Sequence, residues 1–246
     1  MASYLSLELR RSLRDRRYLL LVVGWPVAAY LLFSTVFGSA ADGSQGLSAS
    51  VEIMVAMAAF GAMGGVLMAS GPRLAIDRQV GWLRQLRLTP LSPARILGVR
   101  VVSAMSLSLP AICLTFLTAA LVKDVTLPLW EWPVLALLIA AGCLPFAAMG
   151  IVVGSIADGD GAQGLTMVLY LVLAALGGLW MPVQILPAPM QTIAKTLPSY
   201  HLAQLGWHIA RGVAPALGDG LVLLAWFAGA ALLAVAVSRR LAMRTA

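Results

Sequence analysis

The chain has few charged residues and little of the residue types that carry catalytic chemistry. Only 11% of its 246 residues are Asp, Glu, Lys or Arg, and it has two histidines and two cysteines. The lysines are Lys123 and Lys195, and neither follows a glycine, so the sequence has no phosphate-binding loop of the form G-x-x-x-x-G-K-[ST]. The chain therefore cannot bind ATP by that route.

The cysteines and histidines show no metal-ligand spacing. Cys113 and Cys143 both lie inside long apolar runs, where a free cysteine behaves as a small packing residue. His201 and His208 are seven residues apart, or two helical turns, but no third ligand or acidic partner accompanies them in the sequence. We interpret them as packing or surface residues and expect no catalytic residue and no metal site.

The sequence also gives little evidence for a pair of catalytic carboxylates. Asp158 and Asp160 occupy one glycine-rich turn, whereas an intramembrane aspartyl protease needs two carboxylates brought together across a site. A short hydrated connection explains them better, and an intramembrane enzyme is the less favoured alternative.

Ionisable residues are nearly absent from the middle of the apolar runs, which argues against an ion-driven transporter.

Apolar residues make up most of the chain. The hydrophobic fraction is 61% and the mean hydropathy is +0.91, far above the range of water-soluble domains. A bilayer core about 30 Å thick needs roughly 20 apolar residues for each helical span. The sequence therefore predicts an all-α membrane protein that forms one transmembrane domain over residues 1–246, with six transmembrane helices. They cover approximately residues 18–37, 51–71, 97–122, 132–156, 162–181 and 221–237.

Basic residues set the predicted orientation. Of the 17 lysines and arginines, 14 lie before the first span, after the second span or in the C-terminal tail. Six spans put these three segments on one side, and short basic segments are retained in the cytoplasm. We therefore expect both termini to be cytoplasmic. Leu5, Leu9 and Leu13 recur every fourth residue among arginines, which predicts an interfacial helix over residues 1–17.

A basic segment over residues 72–96 interrupts the apolar runs and is predicted to be a cytoplasmic loop. Within it Ile76, Val80, Leu83 and Leu86 recur at helical spacing and would form one apolar stripe among the arginines. A solvated loop has no need of such a stripe, so we expect an amphipathic helix that packs on another protein. The alternative is a helix that lies on lipid head groups.

Two segments resemble type 2 ABC-transporter permeases. The stretch DRQVGWLRQLRLTPLSPARILGVR is similar to the family's segment after its second span, with matching residues at Asp77, Arg78, Gly81, Leu83, Leu86, Pro90 and Ser92. The region after the fifth span is similar at Gly178, Pro182, Leu186, Pro187, Pro198, Tyr200 and Arg211. Trp82 departs from the family's small polar residue, and Arg100 replaces a lysine that often opens the third span.

The resemblance implies a mechanism with a separate motor. Two copies of an ABC ATPase subunit would bind ATP and Mg, this chain would hold no cofactor, and a second permease copy, identical or homologous, would complete the transporter. A coupling helix in the first cytoplasmic loop would contact the ATPase. The expected coupling residues are Asp77, Arg78, Val80, Gly81, Leu83, Leu86 and Pro90.

Spans two and five of the resembled family flank the substrate path. The corresponding candidates in this sequence are Met54, Met57, Phe60, Met63, Met167 and Tyr170, with plain helix packing as an equally good interpretation. Prolines divide the segment over residues 182–218 into pieces too short to span a bilayer. We expect short re-entrant helices there, on the extracellular side.

The expected function is export of a lipophilic drug-like molecule or natural product, including antibiotic efflux, across a bacterial cytoplasmic membrane. The predicted path is apolar and offers few polar anchors for a hydrophilic cargo. A lipid-linked glycan is the alternative cargo, and a scaffold or sensor is a further alternative class. We expect contact with membrane lipid and none with nucleic acid, because no aromatic residues interleave with the arginines as a base-stacking surface would require.

Overall fold

The computed structural model describes residues 20–38, 46–82, 85 and 93–244. Within these ranges the chain is helical and contains no strand, as predicted. A π-helical turn, Leu20–Gly24, precedes the first α-helix, and a 3-10 turn, Val183–Ile185, follows the seventh. The α-helices are α1 (Trp25–Phe37), α2 (Ala49–Gln79), α3 (Pro93–Ser106), α4 (Leu109–Val122), α5 (Glu131–Gly142), α6 (Leu144–Ile156), α7 (Gly159–Leu176), α8 (Ala188–Ala194), α9 (Pro198–Ala210) and α10 (Leu217–Arg244).

Helix α2 is the centre of the bundle. It is rich in alanine and methionine, which favour helix, and most of its residues are buried. It packs against α1, α3, α4, α6, α7 and α9. The helix continues through Pro72, past the predicted end of the second span at Gly71, to Gln79. It therefore includes the first residues of the predicted cytoplasmic loop.

Proline residues divide three of the predicted spans into helical segments. Pro26 and Pro145 lie in the first turns of α1 and α6, and Pro110 in that of α4. Proline is tolerated in the first turn, where its missing N–H has no intrahelical partner to lose. Spans one, three and four each contain such a proline.

Five stretches are long and apolar enough to cross a membrane among the described residues. They are Ala49–Gln79, Gly98–Val122, Glu131–Ile156, Gly159–Leu176 and Leu217–Val237. A further apolar helix, Val22–Phe37, is shorter. The predicted first span began at residue 18, and that residue and the predicted N-terminal helix lie outside the described part. The six-span count and the cytoplasmic location of both termini stay predictions.

Close backbone contact joins α2 to α6. A Cβ atom added at Gly150 or Gly154 would overlap Ser70 or the carbonyl oxygen of Gly71, so only glycine fits at these positions. Lipid tails are as apolar as side chains, so membrane helices associate through such close packing rather than through water exclusion. The small residues therefore hold the central helix against the second half of the fourth predicted span.

Candidate functional site

A buried ion pair joins the end of α2 to α3. Arg100 Nη2 donates a hydrogen bond to Asp77 Oδ2 at 2.6 Å, and the side chains are 7% and 2% exposed, respectively. Charges so thoroughly removed from solvent persist only when they are paired. Asp77 is a predicted coupling residue, and its partner Arg100 is the position that departs from the family's usual lysine. The pair holds the end of α2 against α3.

Arg78 connects the same end of α2 to a third helix. Its Nη1 atom lies 2.8 Å from the carbonyl oxygen of Gly154 and 2.5 Å from that of Ser155. Both carbonyls belong to the last turn of α6, where helix geometry leaves them without backbone donors. Arg78 thus supplies a cationic cap to α6 directly before the turn into α7. Asp77 and Arg78 together tie α2 to α3 and α6.

The remaining predicted coupling residues lie at or beyond the end of α2. Val80 is 66% exposed and Ile76 is 42% exposed, so the start of the predicted apolar stripe faces outward. Gly81 has a φ of +73°, a left-handed conformation that glycine adopts without steric cost and that turns the chain after α2. Leu83, Leu86 and Pro90 lie outside the described residues.

Most of the predicted path residues are packed inside the protein. Met54, Met57, Phe60 and Met63 are all buried. The Tyr170 ring stacks on Phe60 with centroids 4.6 Å apart, and its hydroxyl donates a hydrogen bond to the Phe60 carbonyl oxygen at 3.2 Å.

Met167, in contrast, is 45% exposed on α7. The structure therefore brings four methionine and phenylalanine side chains of α2 and Tyr170 into one core and leaves Met167 apart from them.

An apolar cavity of about 570 Å³ lies between the end of α1, the start of α2 and the chain that follows α7. Met57 is the one predicted path residue among those described as lining it. The described lining residues are otherwise apolar, aromatic or glycine, apart from Glu52: Phe33, Phe37, Ala49, Ile53, Ala56, Gly178, Leu179, Trp180, Met181, Pro182, Ile185 and Trp207. Trp207 Nε1 donates a hydrogen bond to the Glu52 carbonyl oxygen at 3.1 Å, which fixes α9 against the start of α2.

The two histidines have an acidic partner that sequence spacing did not reveal. His201 Nδ1 lies 2.6 Å from Asp219 Oδ1, and His208 Nδ1 lies 3.7 Å from Asp219 Oδ2. The Nε2 atom of His201 also lies 2.9 Å from the Lys195 carbonyl oxygen. The expectation that no carboxylate accompanies the histidines was wrong, because Asp219 reaches them from the start of α10. No group of three or more potential ligands within the described ranges is arranged to hold a metal ion.

Several apolar helices of membrane-spanning length around a buried central helix define a multi-pass membrane protein. A family model for ABC-2 type transporters matches residues 3–206, and the chain belongs to that family. The resemblance predicted from the two motif segments is confirmed.

A curated relative has the same kind of description. It is "Putative transport permease YvfS" of Bacillus subtilis (strain 168), 33% identical over 219 residues, which cover 89% of each chain. The chain is accordingly a membrane permease of an ABC transporter, a transport protein rather than an enzyme, and the ATPase is a separate subunit. Membership of the family implies an ABC ATPase partner and dimeric assembly.

Proposed function

We propose that this permease exports a lipophilic drug-like molecule or natural product across a bacterial cytoplasmic membrane. The observation that carries the proposal is the cavity of about 570 Å³ at one end of the bundle, whose described lining is apolar except for Glu52. An apolar cavity binds an apolar surface most favourably, since burying polar groups without partners costs free energy. A lipophilic cargo therefore matches this cavity better than a hydrophilic one.

The proposed topology places the cavity on the outer side of the membrane. Six spans with both termini in the cytoplasm put the end of α1 and the start of α2 outside, and the segment over residues 182–218 with them. The basic residues of the loop after α2 support this orientation. In this arrangement the cavity lies at the exit, and the segment over residues 182–218 covers it as a set of short re-entrant helices.

ATP hydrolysis by two copies of a separate ATPase subunit supplies the energy, and a second permease copy completes the path. No cofactor binds to this chain, and ATP and Mg belong to the ATPase. The proposed contact with the ATPase is the loop after α2, with coupling residues Asp77, Arg78, Val80, Gly81, Leu83, Leu86 and Pro90. The exposed side chains of Ile76 and Val80 support this contact, because they present apolar surface to a partner.

Movement of the loop would reach the spans through the polar contacts at the end of α2. The Asp77–Arg100 pair would carry it to α3, and the Arg78 hydrogen bonds would carry it to α6. Met57 is the predicted path residue that we propose to meet cargo first, since it lines the cavity. Met54, Phe60 and Met63 would contact cargo only if the helices around α2 separate.

Loop variants test the proposed coupling. The permease is co-expressed with its partner ABC ATPase, and the complex is reconstituted into liposomes. Leu83→Glu and Leu86→Glu should weaken co-purification of the ATPase or separate its ATP turnover from transport, because a carboxylate replaces apolar contact surface. Gln85→Glu is the matched control, since Gln85 is exposed and lies between them. Loop variants with wild-type coupling would contradict the proposal.

A cargo assay tests the export proposal separately. Cells that lack the permease are compared with cells that express it together with its ATPase, and both are grown with a panel of lipophilic antibiotics and natural products. Expression should lower the intracellular level of at least one compound. If no compound is exported and a lipid-linked glycan instead accumulates in cells lacking the permease, the cargo assignment is wrong.

A further inference from the structure

Aromatic side chains form much of the cavity wall. Phe33 and Phe37 come from α1, Trp207 from α9, and Trp180 from the chain after α7. Trp180 meets the ring of Phe60 edge-on, with centroids 5.6 Å apart, which supports it from the protein core. A volume of about 570 Å³ lies within the range of about 300–1,000 Å³ that small-molecule sites occupy. The cavity therefore has both the size and the lining of a ligand site.

A second, smaller apolar cavity adjoins the first. Its volume is about 270 Å³, and it shares Phe33 and Trp180 with the larger cavity. Trp25 and Leu32 also line it, and each is 58% exposed on α1. Trp25 and Leu32 lie on the outer surface of an apolar helix, so the second cavity opens at the side of the helix bundle. The two shared residues, Phe33 and Trp180, place apolar surface between this opening and the larger cavity.

The charged groups that line the cavity limit the kind of ligand that it can bind. Glu52 is the one residue with an ionisable side chain among those described as lining it, and it is only 8% exposed. A cationic ligand would meet only this one largely covered carboxylate, and an anionic ligand would meet no basic residue among the described lining residues. An ionised ligand would therefore recover little of the hydration that it loses on entry. Four aromatic rings, in contrast, favour a ligand that has rings of its own, because offset and edge-on ring contacts add to the burial of apolar area.

We infer that the cavity binds an uncharged, ring-bearing lipophilic molecule that passes between Trp25, Leu32 and Trp180. The inference rests on the proposed function, since it names the substrate class of the exporter. Binding is nevertheless measured without the ATPase and without transport. If the molecule does not bind in the cavity but coupling and export are intact, only this site is rejected. If it binds but is not exported, only the proposed function is rejected.

Photolabelling of the full chain in phosphatidylcholine nanodiscs tests the site. The probe is benzophenone, a neutral two-ring ketone that crosslinks to nearby C–H bonds on irradiation, and mass spectrometry locates the labelled peptides. Labelling over residues 53–57 and 178–185 should saturate and should fall about tenfold with excess diphenylmethane, a neutral analogue that does not crosslink. Tetraphenylphosphonium, which has similar rings and a positive charge, should compete about tenfold less well.

Cavity-filling variants give the structural control. Ala56→Trp fills the larger cavity and Ile185→Trp narrows its opening, so each should lower saturable labelling about fivefold or more. Ile185 is 65% exposed, so its replacement leaves the core intact even if Ala56→Trp impairs folding. Leu224→Trp on α10 is the matched control, because Leu224 is 58% exposed and is not among the described lining residues.

Three results would overturn the inference. Labelling that rises linearly with probe concentration would mean partition into lipid rather than a site. Equal competition by tetraphenylphosphonium would mean that the site does not select uncharged molecules. Suppression by lysophosphatidylcholine but not by diphenylmethane would mean that the cavity holds a lipid chain.

Discussion

The carboxylate of Asp77 and the guanidinium of Arg100 meet at 2.6 Å with almost no exposure to solvent, although 23 positions separate them in the chain. Asp77 lies three residues before the exposed Val80, at the end of the central helix. In the proposed coupling, a displacement of the loop after α2 would act on this buried charge pair. The next residue, Arg78, donates hydrogen bonds to the carbonyl oxygens of Gly154 and Ser155 in α6.

Removal of one charge of this pair should destabilise the protein strongly. Asp77→Asn leaves the Arg100 guanidinium buried without its carboxylate, which costs about 3–5 kcal/mol. The free energy of unfolding can be measured by titration of the purified protein with a denaturing detergent. The double variant D77N/R100Q should lose less than the sum of the two single losses, and Asp160→Asn, an exposed acidic position, should have little effect. Additive losses would show that the pair does not interact.

Loss of the Arg78 side chain should loosen the end of α6. Arg78→Ala removes two charge-assisted hydrogen bonds to the carbonyl oxygens of Gly154 and Ser155, for an expected loss of about 2 kcal/mol. Amide hydrogen exchange should rise in the turn that follows α6. Lys123→Ala, which removes a cationic side chain at the end of α4, is the matched control. Unchanged exchange in R78A would mean that this cap does not hold α6.

Substitution of Gly154 should separate α2 from α6. Gly154→Ala places a Cβ atom against the carbonyl oxygen of Gly71, and such overpacking typically costs about 1–3 kcal/mol. Gly164→Ala is the control, because open space surrounds that position and alanine favours helix by about 1 kcal/mol over glycine. The first variant should lower the midpoint of thermal unfolding and the second should preserve or raise it. A stabilised G154A protein would refute the close contact.

Asp219 should be needed to hold the two histidines. Asp219→Asn removes the negative charge that lies 2.6 Å from His201 Nδ1, and the loss of a charge-assisted hydrogen bond should cost about 1–2 kcal/mol. The effect appears as a lower midpoint of thermal unfolding at neutral pH. Asp158→Asn, an exposed carboxylate before α7, is the comparison. Equal midpoints for D219N and wild type would show that the contact contributes nothing to stability.

The amino-acid sequence alone determined the membrane class, the order of the apolar helices and the family. These properties depend on local features, namely the length of an apolar run, the residue types in a turn and a short motif such as Asp77, Arg78 and Gly81. Prolines likewise predicted that the segment over residues 182–218 is divided into short pieces, because proline removes a backbone donor. The sequence did not predict that the helix continues from the end of the second span at Gly71, through Pro72, to Gln79.

Only the tertiary structure decided which of the candidate residues meet. Asp219 reaches His201 across 18 positions, and Trp207 reaches the Glu52 carbonyl across 155. No local pattern encodes such contacts, because they depend on which helix faces pack together. For the same reason the methionines of α2, which the family resemblance assigned to a path, are packed in the core. The aromatic residues of the cavity wall come from three separate segments, namely α1, the chain after α7 and α9.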